Sequence, residues 1–153
     1  MKTKKTPLEN AVEQTPDVAG HFHNGIQAVK NEHRQKIVTA NPRKLTGSVD
    51  IDKATLPLYP DANRWDYAIE YGNSTYFIEF HPAATSNVTE MMEKMDWLNW
   101  WLQQKAPLIN ILKPTNKPYH WVATGRIKIL TGSKQYKQLA TIGLLPKKTM
   151  SFK

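Results

Sequence analysis

The sequence predicts an α/β (α+β) domain in which helices flank a small mixed sheet. Three stretches carry that expectation. "WDYAIEYGNSTYFIEFH", residues 65–81, alternates apolar and polar residues around a central turn, the signature of a β-hairpin. "TSNVTEMMEKMDWLNWWLQQ" places Val88, Met91, Met92, Met95, Leu98 and Leu102 on one face at helical spacing. "YHWVATGRIKIL" then returns to strand-like alternation. A hairpin followed by helix and strand calls for one sheet holding both antiparallel and parallel neighbours. At 153 residues, 40% of them hydrophobic, the chain suits a single domain with one sizeable core.

Taken in order, residues 1–16 are polar, contain Pro7 and Pro16, and read as a flexible N-terminal tail, leaving 17–153 as the domain. From Asp17, the stripe Val18, Phe22, Ile26, Val29 and Ile37 predicts a helix over 17–39, ended by Asn41-Pro42. A short strand is expected near 47–51, and "DKATLPLYPDANR" reads as a loop. The hairpin strands fall at about 65–71 and 76–81, with Pro82 stopping the second. The next helix spans about 87–105, where Asn87 and Glu90 have capping-box spacing. "LINIL" fits a buried strand or a helical extension. A strand at 119–130 leads through Thr131-Gly132-Ser133 to a helix at 133–142 closed by Gly143. The basic end, "LLPKKTMSFK", suits an edge strand.

Composition narrows the chemistry. With no cysteine, disulfide scaffolds, thiolate zinc sites and cysteine nucleophiles are excluded, and a reducing compartment fits. The N-terminal lysines have no apolar segment behind them, and no apolar run approaches the ~18 residues that span a bilayer. A cytoplasmic protein with no membrane partner is expected. The formal charge is +8, unevenly spread: residues 1–96 hold 11 basic and all 13 acidic residues, whereas 97–153 hold 10 basic and none acidic. A basic lobe without counter-charges attracts polyanions, and nucleic acid is the most abundant of these in a cell.

Three polar groups stand out in the hairpin: Asp66, Glu79 and His81. Side chains alternate along a strand, so Asp66, Ala68 and Glu70 share a face, as do Phe77, Glu79 and His81 on the partner. With the turn centred on Asn73-Ser74, Tyr71 faces Tyr76, Ala68 faces Glu79 and Asp66 faces His81. Glu79 then lies diagonal to Asp66, about 7–8 Å away along the backbone and within reach of one shared ion. Two such carboxylates suit a hard divalent cation such as Mg²⁺, which binds phosphate and activates water. The same pattern also fits the solvated face of an amphipathic hairpin with an ordinary Asp66–His81 pair.

The element order and the Asp66…Glu79-Phe80-His81 spacing resemble the PD-(D/E)XK nuclease superfamily over residues 17–130. That resemblance implies an αβββαβ, restriction-endonuclease-like core and metal-dependent hydrolysis of phosphodiester bonds in DNA or RNA. It assigns Asp66 and Glu79 to Mg²⁺ or Mn²⁺ and places His81, as the group that orients or deprotonates the water, where the motif has lysine. Trp65 stands in place of the proline before the first carboxylate. Lys94 on the second helix is a lysine that could arrive from elsewhere; an ordinary solvated position fits it as well. Loss of the motif lysine also fits a catalytically inactive module that binds nucleic acid or a protein partner. A structural subunit docking an acidic protein is a further alternative.

Arg126 and Lys128 share one strand face and suit nucleic-acid phosphates, or simply an exposed sheet face. Trp97, Trp100 and Trp101 fit core packing better than base stacking. On a helix, His21-x-His23 points two ways and makes a poor metal pair. His120 reads as structural or surface, "TGSK" lacks a glycine-rich phosphate loop, and no serine sits in a nucleophile elbow.

Overall fold

The computed structural model describes residues 4–153. Its centre is a five-stranded mixed sheet. The strands are β1 (Phe22–Asn24), β3 (Leu45–Asp50), β4 (Tyr67–Tyr71), β5 (Ser74–Ala84) and β6 (Tyr119–Lys128), adjacent in that order. All neighbours are antiparallel except β5 and β6, which run parallel. Parallel neighbours need a crossover, supplied here by helix α4 (Val88–Gln104). A parallel ribbon of β2 (Ile37–Thr39) and β7 (Met150–Phe152) lies apart from the sheet in hydrogen bonding.

Each face of the sheet has its own core. On one, α1 (Pro7–Glu13), α3 (Ile51–Thr55), α4, α5 (Pro107–Asn110) and α6 (Lys134–Ile142) pack against Val49, Ala68, Phe77, Trp121 and Ala123. On the other, Val29, Met150 and Phe152 cover Tyr67, Ile69, Tyr71, Ile78, Phe80 and Val122. Helix α4 buries Val88, Met91, Met95, Leu98 and Leu102, the i, i+3, i+4 series its sequence promised. Full burial of each such side chain contributes about 1.5–3 kcal/mol. Helix α6 is capped by Ser133, which accepts from the Tyr136 N–H, and closes on Gly143 at φ 70, a left-handed conformation that favours glycine. "LINIL" adopts the helical alternative, and the C-terminal segment supplies β7.

Two expectations fail near the N-terminus. Residues 7–13 are not tail but helix: Thr6 caps the Glu9 N–H, Pro7 opens the first turn, and Leu8, Ala11 and Val12 are buried. The expected 17–39 helix is instead a 3-10 turn (Pro16–Val18), strand β1, a four-residue helix α2 (Asn31–Arg34) and strand β2. Gly20 (φ 86) and Gly25 (φ 56) take left-handed conformations that interrupt it. Its apolar stripe is divided between the two cores, because the chain wraps the β1 edge of the sheet: Val18 joins the helix side, while Ile26, Val29 and Ile37 join the other. The order β4–β5–α4–β6 is as expected, but helix α3 (Ile51–Thr55) follows β3 where a loop was expected, and no helix spans the residues expected to open the domain.

All five residues of β4 are buried, so Glu70 is not on a wet face. Its Oε2 accepts from the Leu8 N–H at the start of α1 (2.9 Å), and its Oε1 accepts from the Thr46 hydroxyl (2.8 Å). A carboxylate thus receives an orphan donor of the helix terminus. Glu70→Ala is expected to cost about 2–4 kcal/mol, since it leaves the buried Leu8 N–H and the half-buried Thr46 hydroxyl without their acceptor. Urea unfolding measures that loss, and proteolysis within residues 7–13 should accelerate with it.

No helix among the described residues is long and apolar enough to cross a membrane.

Candidate functional site

The β4–β5 turn is Gly72-Asn73, with φ 57 and 70, the paired left-handed geometry of a two-residue hairpin turn. Tyr71 therefore faces Ser74 and Tyr67 faces Ile78, two positions away from the expected register. A two-residue shift preserves every face, because the strand period is two. It changes the partners: one step past the last ladder pair, Asp66 meets Glu79 rather than His81.

At that step side chains replace the backbone ladder. The Asp66 N–H donates to Glu79 Oε1 (2.9 Å), and Asp66 Oδ2 accepts from the Phe80 N–H (2.9 Å). The Asp66 carbonyl turns the other way and accepts from the Ile51 N–H (2.8 Å). The sheet opens here between β4 and β5, and the two carboxylates stand in the opening. Helix α4 closes over it. Glu90 and Lys94, four residues apart, project from one side of that helix towards β5. Lys94 Nζ lies 3.2 Å from Glu79 Oε2 and donates to the Arg64 carbonyl (2.8 Å). His81 Nε2 donates to Glu90 Oε2 (3.0 Å), and its Nδ1 is 3.7 Å from Glu79 Oε2.

The structure thus gathers Asp66, Glu79 and His81 at one end of the hairpin, but the expected Asp66–His81 pair does not form. Lys94 is not a solvated helix residue: its side chain is 13% exposed, and that of Glu79 is 1% exposed. Glu90, read from sequence as a capping residue, instead engages the imidazole. Asn87 does supply a local cap, accepting from the Ala84 N–H (2.9 Å).

Electrostatics follow from burial. Glu79 is pushed well above the usual carboxylate range, first by desolvation, then by the Asp66 charge; Lys94 and the Asp66 N–H oppose this. Asp66 is raised to about 6 by desolvation, with Asp52 and Asp50 adding and the Phe80 N–H and Lys94 opposing. His81 is lowered by burial and by Lys94, against the pull of Glu90. Its imidazole is consequently neutral at pH 7, able to accept a proton rather than supply positive charge. The ammonium beside the carboxylates is that of Lys94.

Among the described residues no group of three or more His, Asp or Glu side chains is placed to hold a metal ion. The donor set still fits a hard cation in kind. Mg²⁺ takes one or two carboxylates and fills its remaining positions with water and substrate phosphate; here two neighbouring carboxylates both sit above their usual range, a state that a divalent charge relieves, while Glu79 Oε1, Glu79 Oε2 and Asp66 Oδ2 already engage the Asp66 N–H, Lys94 and the Phe80 N–H.

Arg126 and Lys128 are exposed at the far end of β6, where they line a cavity of about 320 Å³ with Pro82, Ala83, Ala84, Thr124 and Gly125. The β5–β6 register jumps there, between His81 and Ala83. Trp101 is fully buried, with its Nε1–H on Asp17 Oδ2 (3.0 Å), and Trp97 stacks on it at 5.8 Å; Trp100 is 43% exposed. His21 and His23 flank Phe22 in and beside a strand, not on a helix, and both line a cavity of about 420 Å³ with Lys30, Arg34, Asp50 and Lys53.

In comparisons with known proteins, no family model, curated protein or solved structure matches the chain.

Proposed function

We propose that the protein is a metal-dependent nuclease-like enzyme of the PD-(D/E)XK type, hydrolysing phosphodiester bonds of nucleic acid. The observation that carries this reading is the opening of the sheet at Asp66 and Glu79 with Lys94 Nζ 3.2 Å from Glu79. The two carboxylates restore the acidic pair of the motif, and α4 supplies the lysine that β5 lacks. In this reading Asp66 and Glu79 hold Mg²⁺ or Mn²⁺, which would supply charge neutralisation at the phosphate and a more acidic water. Lys94 holds positive charge beside the scissile phosphate. His81, neutral and steered by Glu90, accepts or relays the water's proton through its ring nitrogens. The exposed cations Arg126 and Lys128 lie beyond His81 along β5–β6, outside the carboxylate cluster, and would add phosphate contacts there. The setting proposed is cytoplasmic.

Calorimetric titration with Mn²⁺, alone and with a nucleic-acid duplex, tests the proposal. The wild type should bind the ion and cleave, whereas Asp66→Ala/Glu79→Ala should do neither while retaining salt-sensitive nucleic-acid binding through its basic surface. Ion affinity equal in both proteins would overturn the metal assignment. Nucleic-acid binding without ion binding or cleavage would instead favour the inactive binding module. That second reading draws on the closed state of the cluster, in which Lys94 already occupies Glu79 Oε2.

A further inference from the structure

On the face of the sheet opposite Glu79, Lys147 lies in an unusual position. Its backbone is fixed against the edge strand: the Lys147 N–H donates to the Trp121 carbonyl (3.0 Å), and its carbonyl accepts from the Ala123 N–H (2.8 Å). The side chain is partly buried, yet no carboxylate lies within ion-pair distance of it among the described residues. Its ammonium instead donates to His120 Nδ1 (2.6 Å). That contact makes Nδ1 the acceptor and leaves the proton on Nε2, which donates to the Lys117 carbonyl (2.7 Å). Lys117 itself has φ 50, a left-handed conformation uncommon outside glycine, asparagine and aspartate, and costing of order 1–3 kcal/mol. Lys117, His120 and Lys147 line a cavity of about 320 Å³ with Tyr119, Ala140, Gly143 and Leu145, and no acidic side chain is among its walls.

A half-buried ammonium beside a second lysine, with donors to spare and no anion, lacks its electrostatic partner. Burial and the Lys117 charge both lower the Lys147 pKa, and His120 is held down to about 4 by burial and by Lys147, so the ring remains an acceptor through neutral pH. An oxyanion in the cavity would meet two ammonium groups and reverse this deficit.

We propose that Lys147 and Lys117, with His120 orienting Lys147, form a binding site for a phosphate group, separate from the carboxylate cluster. The chemistry is shared by a free phosphate compound and by a nucleic-acid phosphate. The residues are independent of Asp66, Glu79 and Lys94, so either site can fail without the other.

The test follows the His120 ring nitrogens by NMR in the full chain while inorganic phosphate, and separately a single-stranded oligonucleotide, is added. Phosphate should shift Nδ1 saturably, and Lys147→Gln should weaken the apparent affinity at least tenfold, with Lys147→Arg restoring most of it. Lys117→Gln, at an exposed position compatible with folding, should weaken it severalfold and keeps the test decisive if Lys147→Gln does not fold. Oligonucleotide competing with phosphate identifies the source as nucleic acid; phosphate binding without competition identifies a free phosphate compound. No shift with either probe, or affinity unchanged in both the Lys147→Gln and Lys117→Gln proteins, would overturn the proposal.

Discussion

Lys94→Met is expected to destabilise the protein by about 3 kcal/mol at pH 8, the usual penalty for removing one partner of a buried ion pair. The substitution keeps most of the aliphatic stem but leaves Glu79, 1% exposed, with no cation. The loss should shrink towards pH 5. Glu79 already has a folded pKa above its unfolded value, so the native state binds the extra proton and stability falls as pH climbs above the unfolded carboxylate range. Without Lys94 that pKa rises further and the fall continues to higher pH; once Glu79 is protonated, little electrostatic interaction remains to lose. Urea unfolding at both pH values measures the difference. Adding Glu79→Gln should recover much of the stability, because the buried charge is then gone. Equal destabilisation at pH 5 and pH 8 would show that Lys94 contributes packing and its bond to Arg64, not charge.

Asp66→Asn should make the protein more stable at pH 7.5 and no more stable at pH 4. Desolvation raises the Asp66 pKa from 3.8 to about 6, so ionising it in the folded state opposes folding across that interval. At about 1.36 kcal/mol per pKa unit the upper bound is about 3 kcal/mol, and water reaching the partly exposed carboxylate reduces it to about 1–2. Asparagine retains an oxygen for the Phe80 N–H and carries no charge. For a chain of this size the melting temperature should rise by about 3–8 °C at pH 7.5. If Asp66 and Glu79 hold a divalent cation, Mn²⁺ should raise the melting temperature of the wild type and leave that of Asp66→Asn unchanged. A stability cost kept at a site of this kind is what a binding role would require. Identical melting curves at pH 7.5 would mean that the carboxylate is well solvated, and the electrostatic account of the site would be wrong.

Much of the candidate site could be read locally. Strand alternation alone puts Asp66, Glu79 and His81 on one face, and a register difference of two residues leaves that face unchanged. It does matter to pairing. Gly72 and Asn73 both tolerate positive φ, and a turn on them sets Asp66 against Glu79. Lys94 and Glu90 were harder to place. On a helix with so wide an apolar face their positions look like ordinary boundary residues, and only the crossover of α4 above the opened hairpin turns them onto β5. The Lys147–His120 pair left no local signal, because 27 residues separate its members.

What this sequence determined by itself was everything governed by near neighbours: α4 by its 3.6-residue stripe, β4 and β6 by alternation, α6 by Ser133 and Gly143, and the segregation of all acidic residues into the first two thirds. Tertiary structure decided the rest. Residues 17–39 carry a helical stripe and form almost no helix, since the chain must pass round a sheet edge and divide its apolar residues between two cores. Residues 7–13 look like tail and form a helix, because a buried Glu70 waits to receive its first turn. Both outcomes depend on contacts far apart in sequence, and these compete with local propensity on equal or better terms.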